Sequence, residues 1–151
     1  EIARENLDVN IQKLSLIRNT IIDKVLERIP ESYLNGDKEN RLPNNINFRF
    51  AAIEGEGLIL RLDAKGINAA TGSACSSKKL KASYVLSALG LADEEIHGSL
   101  RLSLGIENTL KDVDFIVDTL DEVVSGLRLM SPLWDNKTNE LVELDESMFT
   151  D

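Results

Sequence analysis

Apolar residues recur every three or four positions in two long segments, a spacing that places them on one face of a helix. The first stripe ends at Pro30 after a few turns, which favours a helix packed on its own domain over a coiled coil with sustained heptads. The second stripe follows Thr109, a candidate N-cap. The stripes consist of Leu7, Ile11, Leu14, Ile17, Ile21, Val25 and Ile29, and of Leu110, Val113, Val117, Leu120, Val124 and Leu127.

Polar and apolar residues alternate in two shorter segments, as they do in a half-buried strand. One segment runs from Asn45 to Phe50 and follows Pro43. In the other, from Ser99 to Leu104, leucines alternate with Arg101 and Ser103. Because successive side chains of a strand point to opposite faces, Arg101 is predicted to lie on the face opposite the leucines.

Shorter elements are predicted between these segments, and helices and strands therefore alternate along the chain. The predicted fold class is α+β, or an α/β sandwich-like arrangement, in which helices flank a small antiparallel or mixed sheet. The shorter elements are a helix from Glu54 to Lys65 stopped by Gly66, a strand from Ile67 to Ala70, a helix from Ala82 to Leu89 closed by Gly90, and a helical turn from Asp93 to Ile96.

Composition narrows the class of protein. With 151 residues, 42% of them hydrophobic, the chain is long enough for a domain with its own core. The 26 acidic residues outnumber the 17 basic ones and give a net charge of −9, which argues against binding to nucleic acid or anionic membranes. We expect no membrane span and no leader segment. A single cysteine fits a reducing compartment, so a cytoplasmic protein is predicted.

The one cysteine, Cys75, stands in a run of small residues without apolar periodicity, Thr71-Gly72-Ser73-Ala74-Cys75-Ser76-Ser77. Turn-forming residues around it predict a displayed loop. Lysines follow at positions 78, 79 and 81, and their charge favours the thiolate, which is the reactive form of cysteine. A reactive nucleophile and an incidental surface cysteine both fit this run when it is taken alone.

Several motifs follow one another along the chain. They are Arg41-Leu42-Pro43-Asn44-Asn45-Ile46-Asn47-Phe48, Glu54-Gly55-Glu56, Gly66-Ile67, the cysteine run, Ser83-Tyr84-Val85-Leu86, His97-Gly98-Ser99-Leu100-Arg101-Leu102-Ser103-Leu104-Gly105 and Leu127-Arg128-Leu129-Met130-Ser131-Pro132-Leu133-Trp134. In order and spacing, from about Glu1 to Trp134, the chain resembles the C-terminal small domain of cysteine desulfurases of the iron-sulphur-cluster and nitrogen-fixation type. These enzymes belong to the class V aminotransferase superfamily.

The resemblance implies the fold of the small C-terminal domain of fold-type I pyridoxal phosphate (PLP) enzymes, and it implies roles for two residues. Cys75 is then the mobile-loop nucleophile that takes sulphur from L-cysteine, leaves L-alanine and holds the sulphur as a persulfide. Arg101 is then the arginine that binds the substrate carboxylate, a task that suits the forked guanidinium. Taken alone, Arg101 fits a surface arginine on the polar face of a strand better.

Two further residues are candidate supports for the active site. His97 is the only histidine, a residue type that often serves as a general base, yet its place in a turn before a strand favours a structural hydrogen bond over that role. Asn44, like Asn47, is a candidate to reach the active site, although turn and strand-edge hydrogen bonding explains both. One histidine and one cysteine, well apart in the sequence, predict no metal site.

The sequence lacks the family motifs that hold PLP, namely a strand-borne aspartate, a stacking histidine and the lysine bonded to the cofactor. The resemblance therefore implies that a missing large domain, in the same chain or a separate one, binds most of the PLP, and that this chain alone is inactive. It also implies a homodimeric complete enzyme and a sulphur acceptor protein, such as an iron-sulphur scaffold, as partners. A persulfide relay or docking module without catalysis, and a selenocysteine lyase-like domain, remain alternatives.

Three regions are predicted along the chain. Residues 1–30 form a connecting helix, residues 31–128 form the small domain with a mobile cysteine loop at 70–78, and residues 129–151 form an acidic tail. Such a tail is expected to be solvated. The apolar patch around Trp134 leaves docking on a partner as the alternative.

Overall fold

The computed structural model describes residues 2–71 and 83–142 of the chain. Cys75, with the rest of its predicted loop beyond Thr71, and the end of the predicted tail lie outside the described residues. The described helices are α1 (Ile2–Glu5), α2 (Leu7–Arg28), α3 (Gly55–Ala64), α4 (Tyr84–Ala88), α5 (Asp93–His97) and α6 (Asp112–Arg128). The described strands are β1 (Ser32–Leu34), β2 (Asn45–Phe50), β3 (Ser99–Ser103), β4 (Trp134–Asp135) and β5 (Glu140–Leu141).

The main sheet is antiparallel, with strand order β1-β2-β3. Every second side chain of β2 is buried, as the alternation of its residues predicts for a strand with one face on a core. One face of the sheet is therefore apolar. The opposite face, called the polar face below, carries Asn45, Asn47 and Arg49 of β2 and, paired with them, Ser103, Arg101 and Ser99 of β3.

Helices α2, α3 and α6 pack with the apolar face in one hydrophobic core. Phe48 of β2, Ile21 of α2 and Leu120 of α6 are completely buried in it. Burial of an aliphatic or phenylalanine side chain of this kind contributes about 1.5–3 kcal/mol. Of the first predicted stripe, Leu7 and Ile11 remain exposed. The predicted α+β class, with helices beside a small antiparallel sheet, is confirmed.

Several predicted boundaries are wrong. In place of a strand over 67–70, only Ala70 pairs, through a single bridge to Arg101, because the chain reaches the edge of β3 only there. Thr109 is not the N-cap of α6, which begins at Asp112. The Asp112 carboxylate accepts a hydrogen bond of 2.8 Å from the backbone N–H of Thr109, so the residues between them form a turn. Helix α4 is shorter than predicted, although Gly90 after it has the expected positive φ of 82°.

Trp134 is buried in its own chain and is not available as a docking anchor. The Arg128 guanidinium lies 4.0 Å from the centre of the Trp134 ring, a cation–π contact. Arg128 also donates hydrogen bonds to the backbone oxygens of Pro30, Glu31 and Ala51 at 2.8–3.2 Å. Burial lowers the pKa of Arg128 to about 10, which still leaves the side chain charged at neutral pH. This arginine therefore ties α6 to the tail and to the end of the sheet where β1 begins and β2 ends.

Replacing Arg128 with methionine is expected to lower the free energy of unfolding by about 3 kcal/mol or more, because three carbonyl groups lose a charged donor in a buried place. Lysine at this position should recover only part of the loss, since an ammonium cannot reproduce the fork. Arg61, which is exposed, supplies the matched control Arg61→Met. Urea unfolding measures the difference. Equal losses for the two methionine variants would contradict the role of Arg128.

Candidate functional site

Four residues form a row across the strands: Asn35, Asn47, Arg101 and Ala70. The backbone N–H of Asn35 donates to the backbone oxygen of Asn47 (2.8 Å). Ala70 and Arg101 exchange two backbone hydrogen bonds (2.6 and 3.1 Å). Asn47 and Arg101 are register partners. The backbone polar groups of Asn47 thus face β1, and those of Arg101 face Ala70. Asn47 and Arg101 are therefore a non-hydrogen-bonded pair, whose Cβ atoms typically lie about 4.5–5.5 Å apart.

Arg101 presents its guanidinium on the exposed polar face. Among residues 2–71 and 83–142, no side chain forms a salt bridge with it and no group accepts its side-chain hydrogen bonds. Arg49, on the neighbouring strand and the same face, does have such a partner in Glu95. An exposed guanidinium without such a partner is suited to bind a carboxylate through two parallel hydrogen bonds.

Next to Arg101 lies a chain of side-chain hydrogen bonds. Asn35, which is buried, donates from Nδ2 to Oδ1 of Asn47 at 2.7 Å, and its own Oδ1 accepts from Nη1 of Arg49 at 2.9 Å. Arg49 is held in turn by Glu95 of α5, with Nε 3.2 Å from Oε1, and by the Tyr33 ring, whose centre is 4.5 Å from its guanidinium carbon. These contacts fix the side chains of Asn47, Asn35 and Arg49 on the side of Asn47 that faces β1.

His97 and Asn44 lie apart from that row. His97 lines a groove of about 810 Å³ together with Arg49, Glu95 and Leu133, and the groove does not include Arg101. The structural hydrogen bond predicted for the His97 side chain is not found with any described residue. The Asn44 oxygen accepts from the Leu104 N–H at 2.9 Å and thereby holds the end of β3. The structure thus gives Asn44 a backbone role and places His97 in a groove that Arg49 also lines, outside the row of Arg101.

The segment of Cys75 starts beside Arg101. Ala70 is hydrogen-bonded to Arg101 through the backbone. The first described range ends one residue later, at Thr71. Cys75 itself lies outside the described residues, five positions after Ala70 in the sequence. Five residues of chain reach at most about 18 Å. The predicted nucleophile and the predicted carboxylate site are therefore tied to the same sheet edge by covalent connection.

The residues that define the polar face include no lysine. Lys24, Lys38 and Lys65 pair with carboxylates of Asp114, Asp23 and Glu122 on the outer surfaces of the helices and loops. Within the described ranges no group of three histidine, aspartate or glutamate side chains is arranged to hold a metal ion. Nor does any helix in them have both the length and the apolar composition needed to cross a membrane.

Two residues of this site were missed at the level of sequence. Asn35 falls in none of the elements predicted above, and it precedes Gly36, which has the positive φ of 80° typical of a turn. Arg49 was interpreted only as part of the alternation in β2. The alternation does place Arg49 on the same face as Asn47, so that part of the signal was present. The contact with Asn35 depends on the pairing of β1 with β2, for which three residues give no pattern.

Comparison with known proteins assigns the family. The family model for aminotransferase class-V matches residues 4–116, which include the polar face, Arg101 and the cysteine run. The chain therefore belongs to the class-V aminotransferase family.

Relatives within this family carry a more specific name. The chain is 49% identical over 138 residues to the cysteine desulfurase IscS of Clostridium botulinum, an alignment that covers 90% of this chain and 35% of that protein. It is 53% identical over 134 residues to the cysteine desulfurase IscS 1 of Archaeoglobus fulgidus, covering 89% and 35%. The chain thus spans about a third of the length of these curated relatives.

Solved structures agree with this assignment. A structure titled NifS-like protein superposes with a TM-score of 0.69 at 26% identity, covering 83% of this chain and 31% of that one. The NifS-like protein from Rickettsia africae superposes with a TM-score of 0.65 at 23% identity, covering 79% and 30%, which supports the fold.

Proposed function

We propose that this chain is the C-terminal part of a PLP-dependent cysteine desulfurase. The observation that carries the proposal is identity of 49–53%, over about nine-tenths of the chain, to proteins named cysteine desulfurase. The exposed Arg101, without an ionic partner among the described residues, supports it as a carboxylate site next to the start of the Cys75 segment.

The proposed reaction moves one sulphur atom. The bond between Cβ and sulphur of L-cysteine breaks, and a sulphur–sulphur bond forms at Sγ of Cys75. The substrate carbon gains a proton in place of sulphur, so that L-cysteine and the Cys75 thiol become L-alanine and a persulfide. No external oxidant or reductant is needed. Cys75 acts as the nucleophile in its thiolate form, and Arg101 orients the substrate through its carboxylate.

PLP, as an electron sink, supplies the activation of the substrate in this family. The residues described here do not fit as the main site for it, because the polar face carries no lysine and three of the described lysines are already paired with carboxylates. We therefore propose that the large domain absent from this chain binds PLP. This chain then contributes the substrate carboxylate site and the sulphur acceptor.

The partners follow from the same proposal. The complete enzyme is proposed to be a cytoplasmic homodimer that passes its persulfide sulphur to an acceptor protein, such as a scaffold for iron-sulphur clusters. A single cysteine in the sequence supports a reducing compartment. An excess of acidic residues supports partners other than nucleic acid.

The test is to join this chain to a PLP-bearing large domain, in one polypeptide or as two, and to assay L-alanine and sulphide from L-cysteine with a thiol reductant present. We expect the two products in equal amounts, and none from the chain without the large domain. A complete assembly that contains PLP and forms neither product would contradict the proposed activity. Product formation from selenocysteine alone would instead favour a lyase of that substrate.

A further inference from the structure

We propose that Asn47 is a second substrate-binding residue, whose Nδ2 donates a hydrogen bond to the same substrate carboxylate that Arg101 binds. We further propose that Asn35 is a positioning residue that keeps this amide turned the right way. The inference rests on the proposed function and extends it by naming residues that select for a carboxylate.

The orientation of the Asn47 amide follows from the donors around it. A guanidinium can only donate hydrogen bonds, so the atom of Asn35 that faces Arg49 must be the oxygen, Oδ1. Nδ2 of Asn35 then faces Asn47 and must meet an acceptor, which is Oδ1 of Asn47. Arg49 is held by Glu95 and Tyr33 and so cannot turn away freely. The direction of the whole chain of hydrogen bonds is therefore fixed from one end.

The remaining amide nitrogen is the free end of that chain. Since Oδ1 of Asn47 faces Asn35 on the β1 side, its Nδ2 is directed away from β1 and toward the neighbouring β3 side. There Arg101 is the register partner of Asn47 in a non-hydrogen-bonded pair, which brings the two side chains close. No group of the described residues accepts a hydrogen bond from Nδ2. Two kinds of donor thus stand side by side without an acceptor between them.

A carboxylate is the ligand that fits these donors. Its two oxygens offer about four acceptor sites, and a guanidinium fills two of them, which leaves one for the amide. A cation would be repelled by Arg101. A neutral carbonyl has a single oxygen and would accept from only some of the donors of Arg101 and Asn47. The amino-acid substrate of the proposed reaction carries the required carboxylate.

The first arm of the test replaces Asn47 with alanine in the complete enzyme. We expect KM for L-cysteine to rise about ten-fold to a hundred-fold, with kcat changed by no more than about two-fold, because a hydrogen bond to a charged group is lost. The matched control is Asn45→Ala on the same strand and face, opposite Ser103, which should leave KM unchanged. Inhibition by cysteamine, which lacks the carboxylate, should be the same in wild type and Asn47→Ala.

The second arm changes the direction of the amide without touching the substrate. Asn35→Asp keeps an acceptor for Arg49 but cannot donate to Asn47, so the Asn47 amide should turn and present its oxygen to the carboxylate. We expect a rise in KM similar to that of Asn47→Ala. In the double variant Asn35→Asp with Asn47→Ala, the rise should not exceed that of Asn47→Ala alone, since the amide is already gone. Thermal unfolding of each variant checks that the fold is retained.

Asn47→Asp covers the case in which the alanine variant fails to fold, because its carboxylate still accepts from Asn35. It should raise KM at least as much as alanine, since it pairs with Arg101 and repels the substrate. If the wild type is active and KM is unchanged in Asn47→Ala or Asn47→Asp, the proposed role of Asn47 is overturned and the proposed function is not. The role of Asn47 is also overturned if Asn47→Ala weakens inhibition by cysteamine as much as it raises KM for L-cysteine. An inactive wild-type assembly would overturn the proposed function itself, and this role with it.

Discussion

Replacing Cys75 with alanine in the complete enzyme is expected to lower the formation of alanine and sulphide from L-cysteine on the order of a thousand-fold or more. The physical reason is that the acceptor of the sulphur atom is removed, and this sequence contains no second cysteine that could replace it. Serine at this position should be equally inactive, because its hydroxyl is not ionised near neutral pH. Steady-state assays of both products make the measurement.

Binding should survive that change. Arg101 and the PLP of the large domain remain in the Cys75→Ala variant, so the change in cofactor absorbance on titration with L-cysteine should give nearly the wild-type dissociation constant. Ser76→Ala, at the next position along the chain, is the matched control and should keep its activity. Activity of Cys75→Ala within about ten-fold of wild type would show that another group accepts the sulphur.

Arg101→Ala is expected to have its largest effect on binding rather than on the acceptance of sulphur. Loss of a bidentate pair between the guanidinium and the substrate carboxylate should cost about 2–4 kcal/mol in a site shielded from water. That cost corresponds to a dissociation constant for L-cysteine raised roughly thirty-fold to a thousand-fold. The same absorbance titration measures it.

Two variants test whether the loss belongs to the guanidinium at this place. Arg101→Lys should recover part of the affinity, because an ammonium keeps the charge without the fork. Lys111→Ala removes an exposed cation before α6, away from the polar face, and should leave the affinity unchanged. If Arg101→Ala binds L-cysteine as the wild type does while its fold is intact, Arg101 is an ordinary surface residue.

The larger elements of this fold could be predicted from the sequence because their signals are local. The alternation in β2 and β3 gave their positions to within a residue, and it placed Arg101 on the face opposite Leu100 and Leu102, as the structure has it. The stripe of α6 was found in the same way, although its start was set two residues too early, because the residues from Thr109 to Asp112 form a turn before the helix. Local periodicity does not report such side-chain choices.

The contacts that define the candidate site could not be predicted in this way. Asn35 and Asn47 are twelve residues apart, and their hydrogen bond depends on the register of a strand too short to show alternation. Arg128 reaches backbone oxygens almost a hundred positions earlier in the chain, which no periodic pattern encodes. The roles of Cys75 and Arg101 came from the resemblance of ordered motifs, since each residue alone also fitted a surface position.

The most direct test of the proposed function is the mass of the Cys75 peptide after a single turnover. The complete enzyme is mixed with one equivalent of L-cysteine without reductant, digested, and analysed by mass spectrometry, with one half of the sample treated with a thiol reductant first. The proposal predicts that the peptide containing Cys75 gains the mass of one sulphur atom, that the reductant removes it, and that one L-alanine forms for each sulphur gained. L-alanine formed in that amount while the Cys75 peptide keeps its original mass would contradict it.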